Sequence, residues 1–443
     1  MFIMAKFLIV GSGAREASFA LQLMKDTQLY GVIGHKNPLI IDCIHQSGGE
    51  YIVDDADDPD TVLKFAKQHK IDYAFVNADQ PLANGVVDVL LEHGIKAIGG
   101  TQAATRIEWD KVYAMEMMQK RCPEFTPFYI VVSDKRSLSQ ALSEFKSRNL
   151  EVVVKPQGLT GGKGVKVMPI HLPTYDDCYN YAMSLIDGRP NESVLLVERL
   201  QGIEFTKRGN TDCKNLVMAP ASYDYPFRYE GDVGPGTGGM GCFTAAEKKL
   251  PFMTDENLTD CKTIMQRIID EMRHTGLRFS GVLNGGFFKT TRGIKFMEFN
   301  GRFGDPEGLN VLSVLDGSLA SVLVHIWNGT ISDDVITFAK KASVTKYLVA
   351  KEYPEHSGTA TEFTIDVKSI AEMGIKTYFA SCIQVGDTRY RTLKKSRVVA
   401  LGAVADTIQE ASHIVNIAID RHIQGNLEYR SDIGSAESLQ RLH

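Results

Sequence analysis

A chain of 443 residues is too long for a single hydrophobic core and divides into two to four domains. Apolar residues make up 44% and charged residues 23%, and a net charge of −5 from 49 basic and 54 acidic side chains excludes a general basic field for nucleic acid. The seven cysteines are scattered without a CxxC pair, which argues against a disulfide framework or structural zinc, and no apolar stretch reaches the length of a membrane span.

The chain enters the apolar run KFLIV within a few residues, with no signal-like segment ahead of it, so a reducing, cytoplasmic setting is expected. GSGAREASFALQLMKD then has helical spacing. The runs LYGVIG, EYIVD, DYAFVN and KAIGG follow, separated by the helical stretches PDTVLKFAKQHK and NGVVDVLLEHG. Strands alternating with helices predict a parallel sheet over 1–105. The turn GSGAREAS resembles a dinucleotide fingerprint, but Glu16 stands at the third glycine, which argues against NAD. A glycine turn opening a helix can still receive an anion or a small polar substrate.

The next elements predict a small α/β unit over 127–195: TPFYIVVS, the helix SLSQALSEFKSRN, the strand LEVVVK, a glycine loop, the strand GVKVM, a second helix, and SVLLVERL. The remainder of a central domain, 106–126 and 196–334, holds β-rich runs and one long helix near 255–275. Residues 335–443 carry their own strands and a late helix, TIQEASHIVNIAIDRHI.

Three stretches carry chemistry. KPQGLTGGKGVKV, 155–167, is not a Walker A loop: Gln157 stands where the first glycine belongs, Gly164 follows Lys163, and the loop joins two strands. Four glycines and two lysines in such a hairpin suit a mobile cover over phosphate. In KFMEFNGRFGDPE, Glu298 and Asn300 lie two apart on a strand and share a face with Arg302, a pair of hard oxygen donors suited to Mg²⁺ beside nucleotide phosphates. YEGDVGPGTGGMG, 229–241, is a second glycine-rich loop.

These motifs, in this order, resemble the glycinamide ribonucleotide synthetase (phosphoribosylamine–glycine ligase) family of the ATP-grasp superfamily. The similarity runs nearly end to end, through NADQPLANGVVD, RIEWDKVYAMEMM, KYLVAKEYP and YRSDIG. It implies an α/β fold of ATP-grasp architecture: an N-terminal parallel-sheet domain, a small lid domain, a central ATP-grasp domain and a C-terminal α/β domain. It implies ligation of glycine to 5-phosphoribosylamine at the expense of ATP, with Mg²⁺ or Mn²⁺, in a monomer or homodimer.

Carried over by position, the resemblance implies that Lys111, Lys155, Gly161, Gly162, Lys163 and Gly164 meet ATP phosphates. Glu198 and Glu204 would lie by adenine and ribose, with Val197 replacing an acid often present there. Glu298 and Asn300 would hold the metal, and Arg302 and Asp224 would act at the reacting carboxyl. Gly13, Arg15, Glu16, Asp79, Thr237, Gly238, Gly239, Met240, Asp305, Lys395 and Arg397 would line the amine, ribose phosphate and glycine sites.

Departures from the family pattern fall at YDYPFR, where only Asp224 is kept, at NADQPL, which shortens an acid to Asp79, and at DPEGLN. They leave open a divergent ligase with another amino acid or amine. A non-catalytic nucleotide-binding protein is the reading from another class; intact Lys155, Glu298, Asn300 and Arg302 count against it.

Overall fold

Val, Ile and Phe dominate the early apolar runs, and each run becomes a strand, the central ones buried on both faces and the edge strand Tyr51–Val53 partly exposed. Lys6–Val10 lies between Gln28–Ile33 and Tyr73–Val76, with Tyr51–Val53 and Lys96–Gly100 outside them, all in parallel. Phe7 and Ile9 face one apolar cluster and Leu8 and Val10 the other, as the two-residue period of a strand requires. Asn37 and Asp58 cap the crossover helices Pro38–Gln46 and Pro59–His69, each of which opens on proline. The structure is a computed structural model that describes residues 4–158, 164–189, 191–355, 360–393 and 396–442.

The parallel sheet expected over 1–105 does not stop at its last strand. Phe279 and Ser280, at the start of the long strand Phe279–Thr290, pair antiparallel with Gly100 and Gly99. Phe279–Thr290 runs on between Ile203–Asp212 and Gly293–Asn300, so nine strands form one continuous sheet among the described residues. Gly99 has φ +155, and a Cβ there would sit 2.7 Å from the Val76 carbonyl oxygen and 2.9 Å from Val87 Cγ2. The sheet can turn from parallel to antiparallel here because the backbones approach where no side chain intervenes.

The unit over 127–195 has its own antiparallel sheet, in the order Tyr129–Val132, Val194–Glu198, Val152–Pro156, Lys166–Val167. Helices Lys135–Ser147 and Tyr175–Gly188 cover it through Leu138, Phe145, Cys178 and Ala182. The strand expected over GVKVM narrows to Lys166–Val167.

A further sheet contains Ala342–Ala350, Val399–Ala405 and Lys376–Phe379, packed under the helix Ile408–His422. Two short strands from the middle of the chain, Tyr223–Asp224 and Gly241–Thr244, extend this sheet. The ends of the second glycine-rich stretch are thus fixed in the C-terminal sheet, although the sequence groups 196–334 with the central domain. The stretch itself, expected as a loop, contains the hairpin Phe227–Tyr229 and Val233–Gly236. RIEWDKVYAMEMM, unassigned from the sequence, forms the helices Gln102–Trp109 and Lys111–Arg121.

The glycine junction gives a direct test of the continuous sheet. Gly99→Val should destabilise the protein by about 2 kcal/mol or more through overpacking and backbone strain. Thermal unfolding followed by circular dichroism reads the effect, and an unchanged melting temperature would contradict the close approach.

Candidate active site

The antiparallel register places the site's floor. Thr206 pairs with Gly286, which pairs with Glu298; Arg208 pairs with Asn284, which pairs with Asn300. Paired residues share a face, so Glu204, Glu298 and Asn300 look into one cleft. A bulge at Met297 shifts the register, and Gly286 leaves space beside Glu298, whose Cγ a Cβ there would approach to 3.4 Å.

Arg302 follows the strand and is held on three sides. Its Nε lies 3.0 Å from Asp79 Oδ1, its Nη2 3.0 Å from Glu108 Oε1, and Nη2 donates to Asn300 Oδ1 at 3.3 Å. Glu108, from the helix Gln102–Trp109, also accepts the Gly301 N–H at 2.7 Å. Arg15 reaches the same cluster, donating to the Phe303 carbonyl at 3.1 Å and lying 3.5 Å from Asp79. Burial works against the Asp79 carboxylate, but Arg302 and Arg15 outweigh it and hold the group well below the usual range. Burial, aided by Asp79 and opposed by Arg302, pushes Glu108 up to about 7.

Two lysines approach from the lid side. Lys155, on the strand Val152–Pro156, is buried and donates to the Met297 carbonyl at 3.3 Å. Lys111 opens its helix behind the cap Asp110 and donates to the Gly158 carbonyl at 2.8 Å. Burial lowers both ammonium pKa values while Glu298 raises them. Glu204 is open to solvent at the cleft yet ringed by protein; that enclosure and Glu298 push its carboxyl up to about 7, against Lys155. Gly164 lies at the lid, its carbonyl accepting from Tyr181 at 2.8 Å. Gly161, Gly162, Lys163 and Lys395 lie outside the described residues.

The turn 237–241 forms the opposite wall. Gly239 has φ +97, and a Cβ there would fall 2.6 Å from Asp224 Oδ1 and 2.7 Å from Pro306 Cδ, so only glycine fits beside Asp224. Thr237 closes the turn, donating to the Pro226 carbonyl and accepting from the Gly239 N–H. Asp224 Oδ1 has no hydrogen-bond partner, and enclosure plus the nearby Glu307 raise its carboxyl, against Arg397. A buried carboxylate oxygen without a partner is uncommon in a folded protein and marks Asp224 as a candidate functional group.

Several expected ligands have other tasks. Arg397, read as a phosphate ligand, is buried: Nη1 donates to the carbonyls of Gly238, Gly239 and Asp305, Nη2 pairs with Asp305 at 3.2 Å, and the guanidinium lies over Tyr347. Asp305 is occupied by that pair and by the Tyr347 hydroxyl. Glu16 is turned inward, accepting from Gly13 N at 2.9 Å and Arg15 Nε at 2.8 Å. Glu198 is clamped by Arg292 through both oxygens at 2.9 Å, and Met240 is fully buried in the core. Arg397, Asp305, Glu198 and Met240 find their partners in distant segments, whereas Glu16 finds its partners within its own turn.

The altered segment YDYPFR also has a structural cause. Tyr223 and Tyr225 join Phe243 and Phe252 in an aromatic cluster, while Arg228 is buried against Glu428 at 2.6 Å and the Tyr353 carbonyl. The departures are thus packing changes behind the wall, and Asp224 remains the cleft-facing residue. Two further buried acids were not identified from the sequence: Glu108, inside the helix Gln102–Trp109, holds Arg302, and Glu307, opening the helix Glu307–Ser313, lies near Asp224.

The donor set fits a divalent cation. Glu204 and Glu298 are adjacent carboxylates, with Lys155 near both and Lys111 near Glu298, and Asn300 adds a neutral oxygen. Among the described residues no group of three His, Cys, Asp or Glu could hold a metal alone, so substrate phosphate oxygens would complete the shell.

Family models for the phosphoribosylglycinamide synthetase N domain and ATP-grasp (A) domain match residues 5–108 and 109–308. The chain is 37% identical over 438 residues to a phosphoribosylamine–glycine ligase from Thermococcus kodakarensis, covering 98% of this chain and 97% of the relative. It is likewise 37% identical over 438 residues to the ligase of that name from Methanothermobacter thermautotrophicus, covering 98% of each. Among solved structures, phosphoribosylamine–glycine ligase from Thermotoga maritima superimposes with a TM-score of 0.77 at 19% identity, covering 97% of this chain and 100% of that one. The biotin carboxylase domain of a 2-oxoglutarate carboxylase from Hydrogenobacter thermophilus, solved with MgADP, ADP and bicarbonate, gives 0.70 at 14% identity, covering 97% and 92%. These last two likenesses establish the ATP-grasp fold. No described helix is long and apolar enough to cross a membrane.

Two predictions follow from the geometry. Gly239→Ala should lower turnover by about 10²-fold or more by displacing Asp224, with nucleotide affinity retained, as measured by equilibrium binding alongside ADP release. For Glu108, the folded value of about 7 lies above the ordinary 4.5, so the fold holds a proton that the unfolded chain releases. Its contribution to stability is full below about pH 4.5 and is lost as pH rises through 7. Denaturant unfolding should show native stability falling between pH 5 and 8 relative to Glu108→Gln; parallel profiles would contradict the assignment.

Proposed function

We infer the residue roles below from one premise: the chain belongs to the phosphoribosylamine–glycine ligase family, and it is an ATP-dependent carbon–nitrogen ligase. The reaction joins glycine to 5-phosphoribosylamine, a step of purine biosynthesis. A carboxylate resists attack by an amine because its leaving group would be oxide. Transfer of the ATP γ-phosphoryl group to a glycine carboxylate oxygen breaks the bond to ADP and gives glycyl phosphate. The amine then attacks the acyl carbon and phosphate leaves.

The observation that carries this reading is the convergence of Lys155, Glu298, Asn300 and Arg302 on one cleft face, with Arg302 fixed by Asp79 and Glu108. In our assignment Lys155 and Lys111 neutralise phosphate oxygens, and each is already desolvated, so its charge acts at low dielectric. Glu298 and Asn300, with Glu204 beside them, hold Mg²⁺ or Mn²⁺, which when bound supplies positive charge to the transferring phosphoryl group. Arg302 orients the glycine carboxylate, since a planar guanidinium fixes both the position and the plane of its partner. Asp224, with its free oxygen, and Glu307 face the glycine ammonium. Water at the reacting carbon would hydrolyse the acyl phosphate, so the cleft has to be covered while the intermediate exists.

Arg15 and Asp79 place the amine substrate on the N-terminal side of Arg302. In this assignment the two residues orient the amine toward the acyl carbon beside Arg302, a positioning contribution rather than a chemical one.

ADP release tests the reading, with ATP, Mg²⁺ and 5-phosphoribosylamine generated in place while the amino acid is varied. ADP should require both glycine and the amine; dependence on a different amino acid would contradict the substrate assignment. Lys155→Ala and Glu298→Ala should each lower turnover by about 10²-fold or more. Near-normal turnover of Glu298→Ala would remove it from the metal site.

A further inference from the structure

The wall that carries Asp224 is not self-supporting. Between Asp224 and Gly241 the chain makes the hairpin Phe227–Tyr229 and Val233–Gly236, which stands out from the surface with Tyr229 and Val233 exposed. A two-stranded hairpin of this length has no core of its own and is marginal in isolation. Its geometry has to come from elsewhere in the chain.

It comes from a segment about 200 residues later. Arg430 is buried to 1% exposure, and its guanidinium joins the two parts of the chain. On the tail side it grips Asp432 in bidentate fashion, at 2.9 and 2.7 Å. On the hairpin side it donates to the Phe227 carbonyl at 3.0 Å and pairs with Asp232 Oδ1 at 2.9 Å. Asp432 accepts the Gly231 N–H at 3.0 Å, and Glu230 accepts both the N–H and the hydroxyl of Ser431, at 2.9 and 2.6 Å.

The guanidinium also lies 5.0 Å from the centre of the Tyr225 ring. Tyr225 adjoins Asp224, and its backbone is bonded to the C-terminal end of the active-site turn: its N–H donates to the Gly241 carbonyl and its carbonyl accepts the Met240 N–H. Its hydroxyl is tied to Ser438 at 2.9 Å and to the Gly434 N–H at 3.2 Å. Tail, hairpin, Tyr225 and turn therefore form one hydrogen-bonded unit, with Asp224 at its cleft end. Arg430 itself does not reach the cleft.

We propose that Arg430 is a positioning residue for the amino-acid substrate: it braces the 227–236 hairpin against the chain's last segment and so sets Asp224 and the 237–241 turn. The proposal rests on the ligase reading for the identity of the substrate. Among the described residues no hydrogen bond or ion pair joins Arg430 to Lys111, Lys155, Glu204 or Glu298 on the ATP side of the cleft; Glu204 meets the unit only through the field it exerts on Asp224. The brace thus controls one substrate and leaves the other alone.

The full-length enzyme, with steady-state ADP release and amide hydrogen exchange, tests this. Arg430→Ala should raise the KM for glycine by about ten-fold or more while the KM for ATP stays within about two-fold. Asp232→Asn, which removes only the hairpin half of the contact and leaves the Arg430–Asp432 pair intact, should show the same selective rise to a smaller degree. Arg430→Lys should recover part of the loss, because an ammonium reaches one partner but not the fork. Exchange at the 229–241 amides should accelerate in Arg430→Ala without a change at 294–300.

A glycine KM unaltered in both Arg430→Ala and Asp232→Asn would overturn the proposal, as would equal rises for glycine and ATP. Faster exchange at 229–241 with unaltered glycine kinetics would also overturn it, leaving a brace that positions nothing. If the wild-type enzyme released ADP without any need for glycine, the ligase reading would fail instead, and the exchange data would still report on the brace.

Discussion

A guanidinium enclosed at the meeting of two sheets is costly to bury unless carboxylates face it, and Arg302 has two, Asp79 and Glu108. Those carboxylates come from different places: Asp79 from the end of the parallel sheet, Glu108 from the helix that follows its last strand. Their common partner follows the antiparallel hairpin that holds Glu298 and Asn300. The position of the cleft thus depends on an electrostatic constraint linking the N-terminal sheet to the metal-binding strands. The close packing of Gly99 and Gly281, where a Cβ on Gly281 would lie 3.4 Å from the Gly99 Cα, is what brings those segments near enough for it to form.

The same constraint divides the cleft by charge. Lysines and the paired carboxylates Glu204 and Glu298 occupy the side where a nucleotide and its cation bring opposite charges together. Asp224 and Glu307 lie on the other side, where Arg397 and the fully buried Arg208 are the nearby cations. Raised carboxyl values at Glu204, Glu108 and Asp224 mark a site whose negative charge is incompletely balanced until substrates arrive. Such imbalance costs stability in the free protein and is the electrostatic counterpart of substrate binding.

Much of this was legible in the sequence because it is local. The alternation of short apolar runs and helical stretches gave the parallel strands nearly residue for residue. The two-residue spacing of Glu298 and Asn300 fixed their shared face before any register was known. The burial of Lys155 beside the strand that carries Glu298 could be anticipated from its place at the end of a valine run. What was not legible depends on partners far along the chain. Arg397 and Asp305 look like free charges in sequence, yet each finds its counter-charge in the other, 92 residues away. Glu16 meets its partners within its own turn, but its inward rotation is set by burial against the rest of the fold. Glu108 and Glu307 lie within RIEWDKVYAMEMM and KFMEFNGRFGDPE, but nothing local in those stretches singles either acid out. The hairpin within YEGDVGPGTGGMG went unread because glycine-rich sequence signals a turn without saying what holds it.

The central claim is that this cleft activates a carboxylate by phosphoryl transfer, and isotope transfer tests it most directly. Glycine carrying ¹⁸O in its carboxylate should deliver one labelled oxygen to each phosphate released, because the oxygen that attacks ATP leaves with the phosphoryl group when the amine displaces it. Mass analysis of the phosphate after complete turnover reads the outcome. Singly labelled phosphate, formed only when the amine is present to complete the reaction, is the result expected. Unlabelled phosphate accompanying full conversion of glycine would contradict the account.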